Sequence, residues 1–182
     1  MRIISGIHGG RKFHPPTNMP ARPTTDIAKE GLFNIIQNNL DIENLVTLDL
    51  FGGTGSISYE LASRGCTDLT LVEQDHNTVQ FIKRTVETLQ FENFKIFKMD
   101  VFTYIRNCQS SFDFIFAGPP YALGNIDDLP KLIFEKNMLN PGGWFILEHT
   151  PRNNYEKFPY YNRSKSYGTT IFSLFINTPP SE

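Results

Sequence analysis

The chain has 182 residues, 40% hydrophobic and 20% charged, with a formal net charge of −2. That is the length of one domain with enough apolar residues for a full core. No run approaches the roughly 18 apolar residues of a membrane span, and the first residues hold no apolar stretch of signal-peptide length, so a cytoplasmic protein is expected. The only cysteines, Cys66 and Cys108, lie in unrelated segments, which argues against a disulfide framework. The four histidines have no zinc-like spacing, and no metal is expected. Charge is uneven: residues 1–30 carry +3, residues 31–150 carry −7 and residues 151–182 carry +2. Basic ends could face a polyanion, although a few clustered surface charges look the same in sequence.

Residues 1–25 are rich in Gly, Pro and Thr, with short β-like pieces at 2–6 and 11–14. Asp26 opens an amphipathic helix whose apolar side is Ile27, Leu32, Phe33, Ile35 and Ile36. From residue 45 onward strand and helix patterns alternate. Strands are predicted at 46–51, 69–73, 94–98, 112–117 and 144–148. Helices are predicted at 58–63, 77–89, 102–107 and 127–137. Residues 140–143 read as a turn, and a terminal hairpin is predicted from 155–162 and 169–176. Alternation of this kind predicts an α/β domain, a mostly parallel sheet with helices on both faces. In such sheets ligands bind beyond the carboxyl ends of the strands.

The residues with chemical character lie at those ends. DLFGGTGS, residues 49–56, follows the first strand and precedes a helix. Its glycines allow a tight turn and close approach of a ligand to the backbone. A nicotinamide dinucleotide site also places Gly here, but Ser58 stands where its third Gly belongs. Asp49 would also repel a pyrophosphate. A carboxylate before the glycines suits the cationic amino acid moiety of S-adenosylmethionine. Glu73 ends the second strand, where a carboxylate can accept both ribose hydroxyls. Asp100 follows the third, where its carboxylate and the Val101 amide could meet an adenine. Helix capping is the competing role for Asp100.

After the fourth strand comes FAGPPY, residues 116–121. It resembles the [DN]PP[YF] motif of S-adenosylmethionine-dependent amino-methyltransferases. There a polar side chain and a proline-segment carbonyl accept hydrogen bonds from the target NH2 and align its lone pair with the methyl group. The aromatic residue stacks on an extruded base. The first motif position is Gly118, which has no side chain to accept anything.

With these motifs in place the chain is similar to the small bacterial methyltransferases that modify guanine N2 of 16S ribosomal RNA. The similarity runs nearly end to end. It includes RIISG (2–6), GRKF (10–13), RPTTD (22–26), EGLFN (30–34), the 49–56 loop, Glu73, Asp100, GPPY (118–121), Glu148-His149 and YGT (167–169). The resemblance implies one Rossmann-like methyltransferase domain over residues 1–182, with a seven-stranded sheet and a small N-terminal β-hairpin. Residues 1–25 would contact RNA and 26–182 would form the core. Thr25, Asp49, Phe51, Gly52, Gly53, Gly55, Ser56, Glu73, Gln74, Asp100 and Val101 would hold S-adenosylmethionine. Gly118, Pro119, Pro120 and Tyr121 would form the catalytic loop. Arg11, Lys12, Arg22 and Tyr121 would bind the substrate, a 16S rRNA or a small-subunit assembly particle. A monomer without membrane or metal partners is expected. Gly118 leaves a second expectation open: an RNA-binding assembly protein that keeps the fold and the cofactor site without the chemistry.

Overall fold

The predicted strands assemble into one seven-stranded sheet of order β3-β2-β1-β4-β5-β7-β6. The computed structural model describes residues 1–20 and 24–178. In chain order the elements are α1 (Asp26–Asn39), β1 (Val46–Leu50), α2 (Ser56–Ser63), β2 (Asp68–Glu73), α3 (His76–Thr88), β3 (Phe94–Lys98), α4 (Val101–Asn107), β4 (Phe112–Ala117), α5 (Asp128–Glu135), β5 (Leu139–His149), β6 (Tyr161–Tyr167) and β7 (Thr170–Ile176). The first five strands pair in parallel, and β7 enters antiparallel between β5 and β6. This is the expected Rossmann-like α/β architecture.

The alternation of the strands divides the core into two faces. Leu48 and Leu50 of β1, Ile115 and Ala117 of β4, and Phe145 and Leu147 of β5 pack under α4 and α5. Phe114, Phe116, Trp144 and Ile146 pack on the opposite face under α1 and α2. A polar residue inside so apolar a strand needs a partner. Asp49, on the α2 side of β1, finds one in Ser58.

Helix starts are set by local chemistry. Thr25 accepts from the Ala28 amide to cap α1, Asp75 from the Thr78 amide to cap α3, and Asp100 from the Thr103 amide to cap α4. The 2–14 region pairs more sparsely than the hairpin expectation: one antiparallel bridge, Arg2 with Lys12, is flanked by backbone bonds from Ile3 to Arg11, Gly10 to Ile3 and Phe13 to Met1. What anchors this segment is the buried Glu60 of α2. Its carboxylate accepts the Ile4 and Ser5 amides at 2.8 and 3.0 Å. Glu60 is also paired with Arg64 at 2.9 Å and Lys29 of α1 at 3.7 Å. The Lys29 ammonium donates to the Arg2 carbonyl and to Ser56 Oγ.

Two expectations change. The 140–143 segment lies inside β5 rather than before it. The strand absorbs it at a register shift opposite Phe112 and Phe114, with Gly142 at φ +76°. The strand predicted at 155–162 begins instead at Tyr161. The aromatic run before it folds into turns, with the Phe158 amide on the Tyr155 carbonyl and the Tyr161 amide on Phe158. Those rings cover the α5 face of the sheet, where Tyr160 stacks on Phe134 at 4.0 Å. The real strand, β6, is a polar edge strand, so apolar patterning did not mark it.

Candidate functional site

A cleft of about 400 Å³ opens over the carboxyl ends of β1, β2, β4 and β5, within the size range of small-ligand sites. It draws together most of the predicted residues. Asp49, Phe51, Gly52, Gly53, Ser56, Glu73, Gln74 and Val101 line one end, and Gly118, Pro119, Pro120 and Tyr121 the other.

The first end is built by a sharp departure from β1. Phe51 takes φ +59°, a conformation unfavourable for a side-chain-bearing residue. Gly55, at φ +83°, turns the chain into α2; a Cβ there would fall 2.4 Å from the Tyr59 ring. The Gly53 amide donates to Glu73 Oε2 at 3.0 Å and the Asp75 amide to Glu73 Oε1 at 2.8 Å. Glu73 thereby ties the turn after β1 to the turn after β2, and both turns line the cleft. Asp49 is only 2% exposed, and Ser58 Oγ donates to its Oδ2 at 2.6 Å. Burial pushes its carboxyl up to about 7; the hydrogen bonds from Ser58 oppose the rise and the nearby Glu73 adds to it.

Several expected residues lie elsewhere. Thr25 and Asp100 act as helix caps; Asp100 is exposed and also accepts from Thr103 Oγ1 at 3.0 Å. Neither lines the cleft, nor does Gly55, which only shapes the turn. Arg11 and Lys12 are exposed, and Lys12 borders a separate open depression with Arg2, His14 and Asp26. Arg22 lies outside the described residues.

The second end includes two side chains that lie in segments of the resemblance but were assigned no site role. Thr24 and Glu148 line the cleft beside the Gly118–Tyr121 loop. Glu148 is 8% exposed at the end of β5. Thr24 Oγ1 donates to its Oε2 at 3.1 Å, and the Tyr121 hydroxyl donates to its Oε1 at 3.0 Å. Tyr121 is also within 3.1 Å of Thr170 Oγ1. The available signal was positional: Glu148 stands at the end of a strand, as Asp49 and Glu73 do. Among the described residues there is no group of three or more His, Cys, Asp or Glu placed to hold a metal ion. Nor, among them, is any helix long and apolar enough to cross a membrane.

The donor set suits a cationic nucleoside ligand. Carboxylates at Asp49 and Glu73 flank the glycine turn, and Phe51, Ile57, Val101 and Phe116 supply apolar walls. A dinucleotide would bring its pyrophosphate against those same carboxylates.

Comparison with known proteins agrees. The family described as conserved hypothetical protein 95 matches residues 1–176. The ribosomal RNA small subunit methyltransferase D of Escherichia coli K12 is 26% identical over 178 residues, spanning 96% of this chain and 89% of that one. The protein of the same name from Haemophilus influenzae is 30% identical over 152 residues, spanning 81% and 78%. Among solved structures, a 16S rRNA N2 methyltransferase of Thermus thermophilus, in complex with AdoMet and guanosine, superposes with a TM-score of 0.65 at 23% identity. That match covers 87% of this chain and 45% of the other.

Proposed function

The chain belongs to the conserved hypothetical protein 95 family, and on that premise we propose that it methylates the exocyclic N2 amine of a guanine in 16S ribosomal RNA from S-adenosylmethionine. One observation carries the reading: two carboxylates bracket a glycine turn at one end of a cleft whose other end is a Pro-Pro-Tyr loop. The relatives' rRNA methyltransferase names and the N2 chemistry named for the Thermus structure support it.

Asp49, Gly53, Glu73 and Val101 would hold the cofactor. When bound, it would supply an electrophilic methyl group on a sulfonium whose sulfur leaves as a neutral thioether. The protein's part is positioning and charge. Pro119 and Pro120 stiffen the loop after β4 and present its carbonyls to the amine. Tyr121 offers a ring for an extruded base while its hydroxyl is tethered to Glu148 and Thr170. Exposed Arg11 and Lys12, with Arg22, would meet phosphates.

Isothermal titration with S-adenosylmethionine, followed by mass analysis of 16S rRNA from small subunits incubated with both, tests the reading. Saturable binding and one added methyl on a guanine are expected. Absence of cofactor binding would sink it. Binding without methylation would favour the RNA-binding assembly protein, for which the bare Gly118 is the motive.

A further inference from the structure

Position 118 is where the [DN]PP[YF] motif carries its acceptor, and here it is bare. We propose that Glu148, carried on the neighbouring strand, supplies the carboxylate that accepts the target amine. This inference rests on the amine-methylation reading above.

The placement follows from the sheet. β4 and β5 are parallel neighbours with Ala117 opposite Leu147, so Gly118 and Glu148 are the next residues on two adjoining strand ends. A Cβ built on Gly118 would lie 3.7 Å from Glu148 Oε2. The space that an Asp at 118 would reach into is therefore bordered by an oxygen already present. Glu148 lines the same cleft as Pro119, Pro120 and Tyr121. Its orientation is held from two sides, by Thr24 on Oε2 and Tyr121 on Oε1. Tyr121 belongs to the motif itself, so the loop that lacks its own acid grips one from the next strand. A fixed carboxylate in a buried site favours the positive charge that builds on the amine during transfer. As the nitrogen takes the methyl carbon, its surplus proton passes to the Glu148 carboxylate and from there to water.

The experiment compares wild type, Glu148→Ala, Glu148→Gln and Glu148→Ala with Gly118→Asp. Methyl transfer to unmethylated small subunits is measured beside calorimetric S-adenosylmethionine binding and thermal unfolding. Glu148→Ala is expected to lower kcat about 10²- to 10³-fold, the loss typical of one preorganised group at a reacting centre. KM for the particle and the cofactor Kd should move by less than about threefold. Glu148→Gln keeps the side chain's shape without its charge, and should also lose at least about tenfold in kcat. Adding Gly118→Asp to Glu148→Ala should recover about tenfold or more, because an acid returns from the other strand. Among the described residues beyond its two chain neighbours, the only atom within 3.4 Å of the new Cβ is Phe116 Cε1, at 3.1 Å on a side chain.

Glu148→Ala within about threefold of wild-type kcat would overturn the proposal. So would a loss that Gly118→Asp leaves unrepaired in a variant that still folds and binds cofactor, since Glu148 would then be only a strut for Thr24 and Tyr121. A wild type that binds S-adenosylmethionine without methylating overturns this inference and spares the cofactor site. One that does not bind it overturns the functional reading as well.

Discussion

The two ends of the cleft are built in different ways. The cofactor end is nearly continuous in sequence: residues 49–56 form one turn, and Glu73 closes it by accepting amides at 53 and 75. The amine end is assembled from Thr24, the 118–121 loop, Glu148 and Thr170, joined by hydroxyl–carboxylate and hydroxyl–hydroxyl bonds. A contiguous turn depends on every one of its residues, because glycine conformations and backbone amides cannot be supplied from elsewhere. An assembled acceptor site only needs a carboxylate in the right place, and either of two adjoining strand ends can carry it. Under the proposed function, that difference accounts for an amine end that lacks the motif acid beside a cofactor end whose glycine turn and carboxylates are all present.

The largest expected effect tests whether the cofactor end depends on the interior beneath it. Lys29 is 1% exposed; burial lowers its pKa, and the Glu60 charge opposes that fall. It bridges Glu60 to Ser56, the first residue of α2. Lys29→Met removes one member of a buried ion pair, whose loss typically costs about 3 kcal/mol. Urea denaturation should show a lower midpoint at unchanged slope. An unchanged midpoint would mean that Arg64 and the Ile4 and Ser5 amides satisfy Glu60 without Lys29.

Asp49 comes next. Asp49→Asn keeps the shape and removes the charge meant for the ligand's ammonium, and cofactor affinity should fall about 10²-fold at pH 8 by calorimetry. Methylation at saturating cofactor should suffer much less than in Glu148→Ala. A variant that lost turnover without losing affinity would reverse the division between the two ends.

A smaller effect follows from Asp49's raised pKa of about 7. With the carboxylate as the proposed binding form, affinity should be present above that value and fade as pH falls through it. S-adenosylmethionine should bind about tenfold more weakly at pH 6 than at pH 8, and Asp49→Asn should flatten the profile. Stability has the opposite sense. The folded state keeps a proton on Asp49 that the unfolded chain sheds near its ordinary value of 3.8, so this group destabilises the fold as pH rises from about 4 to 7. Equilibrium denaturation of wild type and Asp49→Asn across that window would check the sign.

What was legible in sequence follows the same divide. β1, β2, β4 and the 49–56 turn could be read because these parallel strands are buried on both faces, and their apolar runs stand out between glycine turns and helices. Glu148 was visible only as part of a resemblance. Its role depends on the lateral pairing of β4 with β5, which a linear pattern does not display. Asp100 shows the reverse ambiguity: a polar residue after a strand also satisfies helix-capping chemistry, and its Oδ1 accepts the Thr103 amide. The predicted strand at 155–162 failed because aromatic residues serve equally well in a turn that covers a sheet.

The smallest expected effect probes the bond that joins motif to replacement acid. Tyr121→Phe keeps the ring for stacking and deletes the hydroxyl that donates to Glu148 Oε1 and meets Thr170. If the hydroxyl merely closes a gap, steady-state methylation should be unchanged. If it aims the carboxylate, kcat should fall about fivefold, the roughly 1 kcal/mol of one hydrogen bond, with little change in KM for the particle. The effect should vanish in Glu148→Ala, because a hydroxyl that acts only through the carboxylate has nothing left to orient. A double-mutant cycle over these two positions measures that coupling directly. Additive losses would separate Tyr121 from Glu148 and leave the ring as the residue's whole contribution.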